Sequence, residues 1–271
     1  THGSRGRARK ETNVVPSRDN DPYNRTQAPG QVTDQGGAPA PNTLTQDGVI
    51  VASPPREGFL TGSFVWMFVG VLLSALAAAF VMFNESLQQT VTDWAFFLLL
   101  GGLGLVFVIN FAITRISSVV ALALFFVYAL TMGLVLGVIV LAYLPSIGVS
   151  GVVSAFAGAA AVFGGAAVYG LVTRRDLTSL GGILFMGLLG LIVVMFLQIF
   201  FFAGEPLANL LIGIVGVVLF TGITAWDVQR LKNGAMPNIN KDSATVLGAL
   251  ALYLDFVNLF LFMLRIFGST R

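Results

Sequence analysis

The sequence predicts an all-α membrane protein with seven transmembrane helices, and three observations lead there. Apolar runs near the ~20 residues needed to cross ~30 Å of hydrocarbon follow one another from residue 60 to residue 267. Charged residues make up 10% of the chain and hydrophobic ones 56%, whereas a soluble domain is about 25% charged. Lys and Arg are confined to alternate loops, the pattern that fixes orientation in a bilayer.

Residues 1–58 are rich in Pro, Gly, Asn, Gln, Asp and Arg. They hold too few apolar side chains to bury a core, which predicts a disordered polar tail, with residues 59–271 forming the transmembrane domain. Arg5, Arg7, Arg9 and Lys10 make a small basic cluster that a solvated tail accommodates without a partner.

The predicted spans are 60–83, 94–113, 119–143, 149–172, 180–203, 207–229 and 245–267. Only a tight turn around Arg115 separates the second from the third. The fourth is rich in Gly, Ala and Ser, including Gly151, Gly158, Gly164, Gly165 and Gly170; small residues let helix backbones approach in lipid, so these read as packing positions. Arg115, then Arg174 and Arg175, then Arg230, Lys232 and Lys241 mark the even loops, and the odd loops contain no Lys or Arg. That asymmetry places the amino terminus in the cytoplasm and the carboxyl terminus outside. Arg265 and Arg271 fall on the wrong side of the rule.

Composition also excludes chemistry. Cysteine is absent and the one histidine is His2, so thiol nucleophiles, thiolate metal sites, histidine relays and haem ligation have no residues in the membrane part. Lys10, Lys232 and Lys241 lie outside the apolar runs, which removes a buried Schiff-base lysine. Glu85, Asp93 and Glu205 are expected in outer loops as solvated acids, so no enzyme activity and no cofactor is expected. Nothing in the charge distribution calls for nucleic acid.

The informative stretch is the last span. Gly248, Ala251, Asp255, Asn258, Phe262 and Arg265 recur at steps of three and four, so they share one helix face. An aspartate at the centre of a membrane helix costs about 3 kcal/mol even on the lenient insertion scale, and such residues face protein or a water-filled cavity. The sixth span ends GITAWDVQRLK, which puts Asp227 about one turn, ~6 Å, inside Arg230 and Lys232. Asp255 is ~12 Å deep from an entry near Leu247. Side chains tilt toward the start of their own helix, so Asp227 leans deeper, Asp255 leans back, and two antiparallel neighbours can bring them together. Two close carboxylates in a low-dielectric site do not both ionise cheaply, so the pair is expected to share one proton. Ionised, it offers hard oxygen ligands for transient Ca²⁺. The plainer alternative leaves Asp227 paired with Arg230 or Lys232 and Asp255 bonded to Asn258 or a neighbouring helix.

The closing ALYLDFVNLFLFMLRIFG, residues 251–268, resembles the last-span signature of the Bax inhibitor-1 family, the transmembrane Bax inhibitor motif proteins, and AWDVQRL is similar to the motif ending that family's sixth span. The resemblance implies a central seventh helix surrounded by two three-helix groups. It also implies a pH-sensitive calcium leak governed by an aspartate pair, which falls on Asp227 and Asp255. Calcium would then be the transported ion, with membrane lipid as the surrounding partner. Leak members use a second-span arginine as a latch; the candidate here is Arg115, at the extreme end of that span, where a topology-setting role also accounts for it. Asn258 is expected to be a supporting hydrogen-bonding group. The resemblance favours a bacterial inner membrane over an organelle membrane. Two other readings stay open: a membrane-embedded regulator of a membrane protease or another partner, and a proton-coupled transporter using the same acids.

Overall fold

The computed structural model describes residues 59–201, 205–234 and 239–270; the tail expected over residues 1–58 lies outside the described residues. Among the described residues six helices are long and apolar enough to cross a membrane: α1 (Phe59–Met82), α2 (Glu85–Ala112), α3 (Ser118–Val172), α4 (Gly181–Phe201), α5 (Pro206–Lys232) and α6 (Lys241–Ser269). A 3-10 turn, Thr178–Leu180, precedes α4.

Local chemistry sets the helix starts. Asn84, Ser117 and Asn240 cap α2, α3 and α6, each side-chain oxygen accepting a backbone N–H of the first turn, from Leu87 (3.1 Å), Val120 (3.3 Å) and Ser243 (2.8 Å). Pro206 opens α5 at a position where its missing N–H removes nothing.

The second helix corrects an expectation. It starts at Glu85 rather than near residue 94, so Glu85 and Asp93 lie on its early turns and not in a loop. The Asn84 cap and the acidic first turn, which suits the positive end of the helix dipole, nucleate a helix through the polar ESLQQTVTD stretch. Glu205 is the residue preceding α5.

The predicted third and fourth spans both lie within α3, which is helical on either side of Gly148. Gly148 breaks it from within, with φ 68° and ψ 175°, three residues after Pro145. A left-handed φ is open to glycine without a Cβ clash, and proline removes a backbone donor just before it. The element doubles back there. Phe125, in the first half, packs edge-on to Tyr253 with centroids 5.6 Å apart, and Phe163, in the second half, packs on Phe256 at 5.8 Å. A straight helix would separate Phe125 from Phe163 by ~57 Å, yet both rings meet the same turn of α6.

Backbones touch where glycine permits. A Cβ on Gly133 would lie 2.7 Å from Ser74 Cα, and one on Gly137 would lie 2.9 Å from the Ala78 carbonyl, so the first half of α3 lies directly on α1. Gly170 presses the second half onto the Ala225 carbonyl of α5. The helix α6 is the most enclosed, buried on faces toward α1, α3 and α5, whereas α4 packs on α5 and leaves Ile183, Phe185, Met186 and Phe196 exposed. In a bilayer those side chains face acyl chains.

Candidate functional site

The α5–α6 interface is built from matching periodicities. Phe220, Thr224, Asp227, Val228 and Leu231 recur at steps of three and four along α5 and are all buried. Across from them runs the α6 stripe singled out in the sequence. Leu231 closes on Gly248 with Ser63 of α1 alongside, and Phe262 seats its ring in the space left by Gly216, stacking obliquely on Phe220 at 5.6 Å. Between these two apolar seals lie the acids.

Asp255 is 3% exposed and Asp227 is 8% exposed. Asp227 and Thr224, three residues before it, lie on the buried stripe of α5, and Asp255 lies among the buried residues of α6, the helix packed against it. Thr224 gives its own proton to the Phe220 carbonyl at 2.7 Å. Asp255 Oδ2 is buried with no hydrogen-bond partner among the described residues.

Asp227 has a cation nearby. The Arg230 guanidinium lies 4.0 Å from Asp227 Oδ1, at the outer limit of an ion pair, and sits over the Trp226 ring at 5.3 Å. It therefore divides its interactions between the carboxylate and the ring.

The other expected residues lie elsewhere. Arg115 is exposed in the turn between α2 and α3, and among the described residues the ion pair found at Asp227 is with Arg230. Asn258 donates to the Leu254 carbonyl of its own helix at 2.8 Å and does not bridge to a neighbour. Arg265, which broke the charge rule, is held by neutral amides: its Nε donates to Asn209 Oδ1 at 3.0 Å and its terminal nitrogen to Gln198 Oε1, while Gln198 Nε2 donates to the same Asn209 oxygen at 2.8 Å. Lone polar residues inside apolar runs, Gln198 and Asn209, were the signal for these partners. Among the described residues no group of three or more His, Cys, Asp or Glu comes together to hold a metal.

The family model for the inhibitor of apoptosis-promoting Bax1 matches residues 56–271. The chain belongs to the Bax inhibitor-1 family. An uncharacterized protein of Deinococcus radiodurans is 39% identical over 216 residues, covering 79% of this chain and 90% of its own. The inner membrane protein YbhL of Escherichia coli K12 is 35% identical over 228 residues, covering 80% and 95%. An uncharacterized protein of Borreliella burgdorferi is 37% identical over 225 residues, covering 80% and 94%. This Bax inhibitor-1 chain is an integral membrane protein, as its helices and its family indicate.

Proposed function

We propose that this protein is a pH-sensitive calcium leak channel, gated by the Asp227–Asp255 pair. The observation behind the reading is the burial of two carboxyl groups on adjacent packed helices, with one oxygen of Asp255 lacking a hydrogen-bond partner among the described residues. As pH rises the pair gives up its shared proton, and two like charges in a low-dielectric site repel. The helices α5 and α6 then part, and one or both seals, Leu231 on Gly248 and Phe262 in the Gly216 notch, open.

Two carboxylates supply only part of the ~6–8 oxygen ligands that Ca²⁺ takes, so the remainder would be water, Thr224 or backbone carbonyls. A deficit of that kind favours passage over tight retention. In the same reading α3 crosses the bilayer twice around Gly148, giving seven crossings, with α6 as the central helix between two groups of three. The basic loops place the amino terminus in the cytoplasm and the carboxyl terminus outside. A bacterial inner membrane is the setting, by analogy with YbhL of Escherichia coli.

Calcium flux into proteoliposomes across a pH series tests the gate. The native protein is expected to leak more as pH rises, whereas Asp227→Asn and Asp255→Asn, which carry no titrating group at those positions, should lose the pH dependence. Native-like profiles in both variants would remove the pair from the mechanism.

A further inference from the structure

Asp255 faces α5, and two residues earlier on α6 Tyr253 faces the opposite side, since two helical steps turn the side chain by ~200°. Tyr253 is fully buried, with its ring edge-on to Phe125 and to Tyr128 at 5.6 Å and 5.7 Å. Its hydroxyl lies 2.6 Å from Ser74 Oγ of α1. Ser74 Oγ in turn lies 2.7 Å from the Ala129 carbonyl of α3 and 3.0 Å from the Gly70 carbonyl of its own helix.

Proton counting fixes the direction of this chain. Carbonyl oxygens only accept, and Ser74 has one proton, so that proton goes to a carbonyl and the shorter contact is to Ala129. Tyr253 must then donate to Ser74. The result is a relay from Tyr253 through Ser74 to the Ala129 carbonyl, which joins α6, α1 and α3 by directed bonds. Neither hydroxyl ionises over about pH 5–8, so the relay keeps its strength while the acids titrate.

The packing beside it leaves room. A cavity of about 190 Å³, lined among others by Ala78, Val140, Phe156, Phe256 and Phe260, lies against the same side of α6. In the leak reading, repulsion from Asp227 moves Asp255, and with it α6, away from α5 and toward this space. Apolar contacts alone resist such a slide weakly, because a void offers no atoms to push against.

We propose that the Tyr253–Ser74–Ala129 relay is a second restraint on α6, a positioning device that holds the helix in its place beside α5 and sets how readily it leaves. It rests on the leak reading only for its effect on flux; its effect on the position of α6 stands alone.

The test uses Tyr253→Phe, which keeps the ring, removes the donor and leaves Ser74 bonded to its carbonyl. The chain has no cysteine of its own, so spin labels on Phe83→Cys, after the end of α1, and Thr270→Cys, after the end of α6, report the separation of those helices in liposomes. Ser74→Ala is the second arm, with thermal unfolding as a check that each variant folds. Expected is a shifted or broadened distance distribution in Tyr253→Phe at a pH where the native protein gives one narrow peak. Calcium flux at that pH should rise about fivefold, the population change that one net hydrogen bond carries. Native-like distance distributions at every pH in both folded variants would overturn the relay, even if the unfolding temperature falls. A shifted distribution with no flux in any protein would uphold the relay and sink the leak reading.

Discussion

Phe262 seats its ring where Gly216 lacks a side chain, so that a methyl group on Gly216 would overlap the ring. This knob on α6 and notch on α5 lie two helical turns from Asp255 and seal the acid pair on the side toward the end of α6. Gly216→Ala is expected to destabilise the protein by about 1–3 kcal/mol through overpacking. Phe262→Ala should cost about 3–5 kcal/mol through the cavity it leaves. Thermal unfolding in detergent measures both, and a loss below about 0.5 kcal/mol for either, the size of an ordinary surface change, would show that the contact does not hold the interface.

If the two buried acids share a proton, as proposed, their substitutions are not independent. Groups in one network show interaction energies of about 0.5–3 kcal/mol in double-mutant cycles. The double variant Asp227→Asn with Asp255→Asn is expected to differ from the sum of the two single variants by an amount in that range, read from unfolding at neutral pH. Additivity within experimental error would mean that the two groups do not sense each other.

Gln229 staples the α3–α4 connection to α5. Its Oε1 accepts from Leu177 N–H at 2.7 Å and its Nε2 donates to the Arg175 carbonyl at 2.8 Å. Gln229→Ala leaves a buried backbone donor without a partner, at a cost of about 1–3 kcal/mol. Faster amide exchange confined to residues 173–180 is the expected signature, whereas native exchange there would deny the staple.

Asp176 supplies a pH dependence outside the membrane. Hydrogen bonds from the Thr178 side chain and backbone N–H, the latter at 2.8 Å, hold its carboxyl below the ordinary carboxylate value. A group lowered by folding contributes stability that is complete above its unfolded value of about 3.9 and is lost as pH falls through the folded one. The carboxyl chemical shift of Asp176 should therefore titrate below that of a free aspartate, and Thr178→Ala should move it part of the way back. A midpoint at the unfolded value in the native protein would contradict the bonds.

Much of the helix pattern was legible because lipid leaves few options. Runs of apolar residues must be helical where no water can serve the backbone, and Gly248, Asp255 and Phe262 fall on a face of α6 that period 3.6 exposes directly. The start of α2 was not legible from hydropathy, since ESLQQTVTD is polar; its Asn84 cap was the available clue. The expected third and fourth spans, 119–143 and 149–172, fall on either side of Gly148, where the backbone leaves the helical region and the chain turns. Arg265 looked misplaced because its partners, Gln198 and Asn209, are 67 and 56 residues away.

By itself the sequence determined that the chain is helical and membrane-embedded and that Asp255 must turn toward protein, since burial of a carboxyl among lipid tails is too costly to leave uncompensated. It also determined which side chains share a face, because that follows from helical period alone. Only the tertiary structure decided what each face meets: neutral amides around Arg265, and Ser74 under the Tyr253 hydroxyl. A hydrogen bond is specified by distance and direction between two groups, and here those groups are brought together by which helices pack side by side, information that no single helix contains.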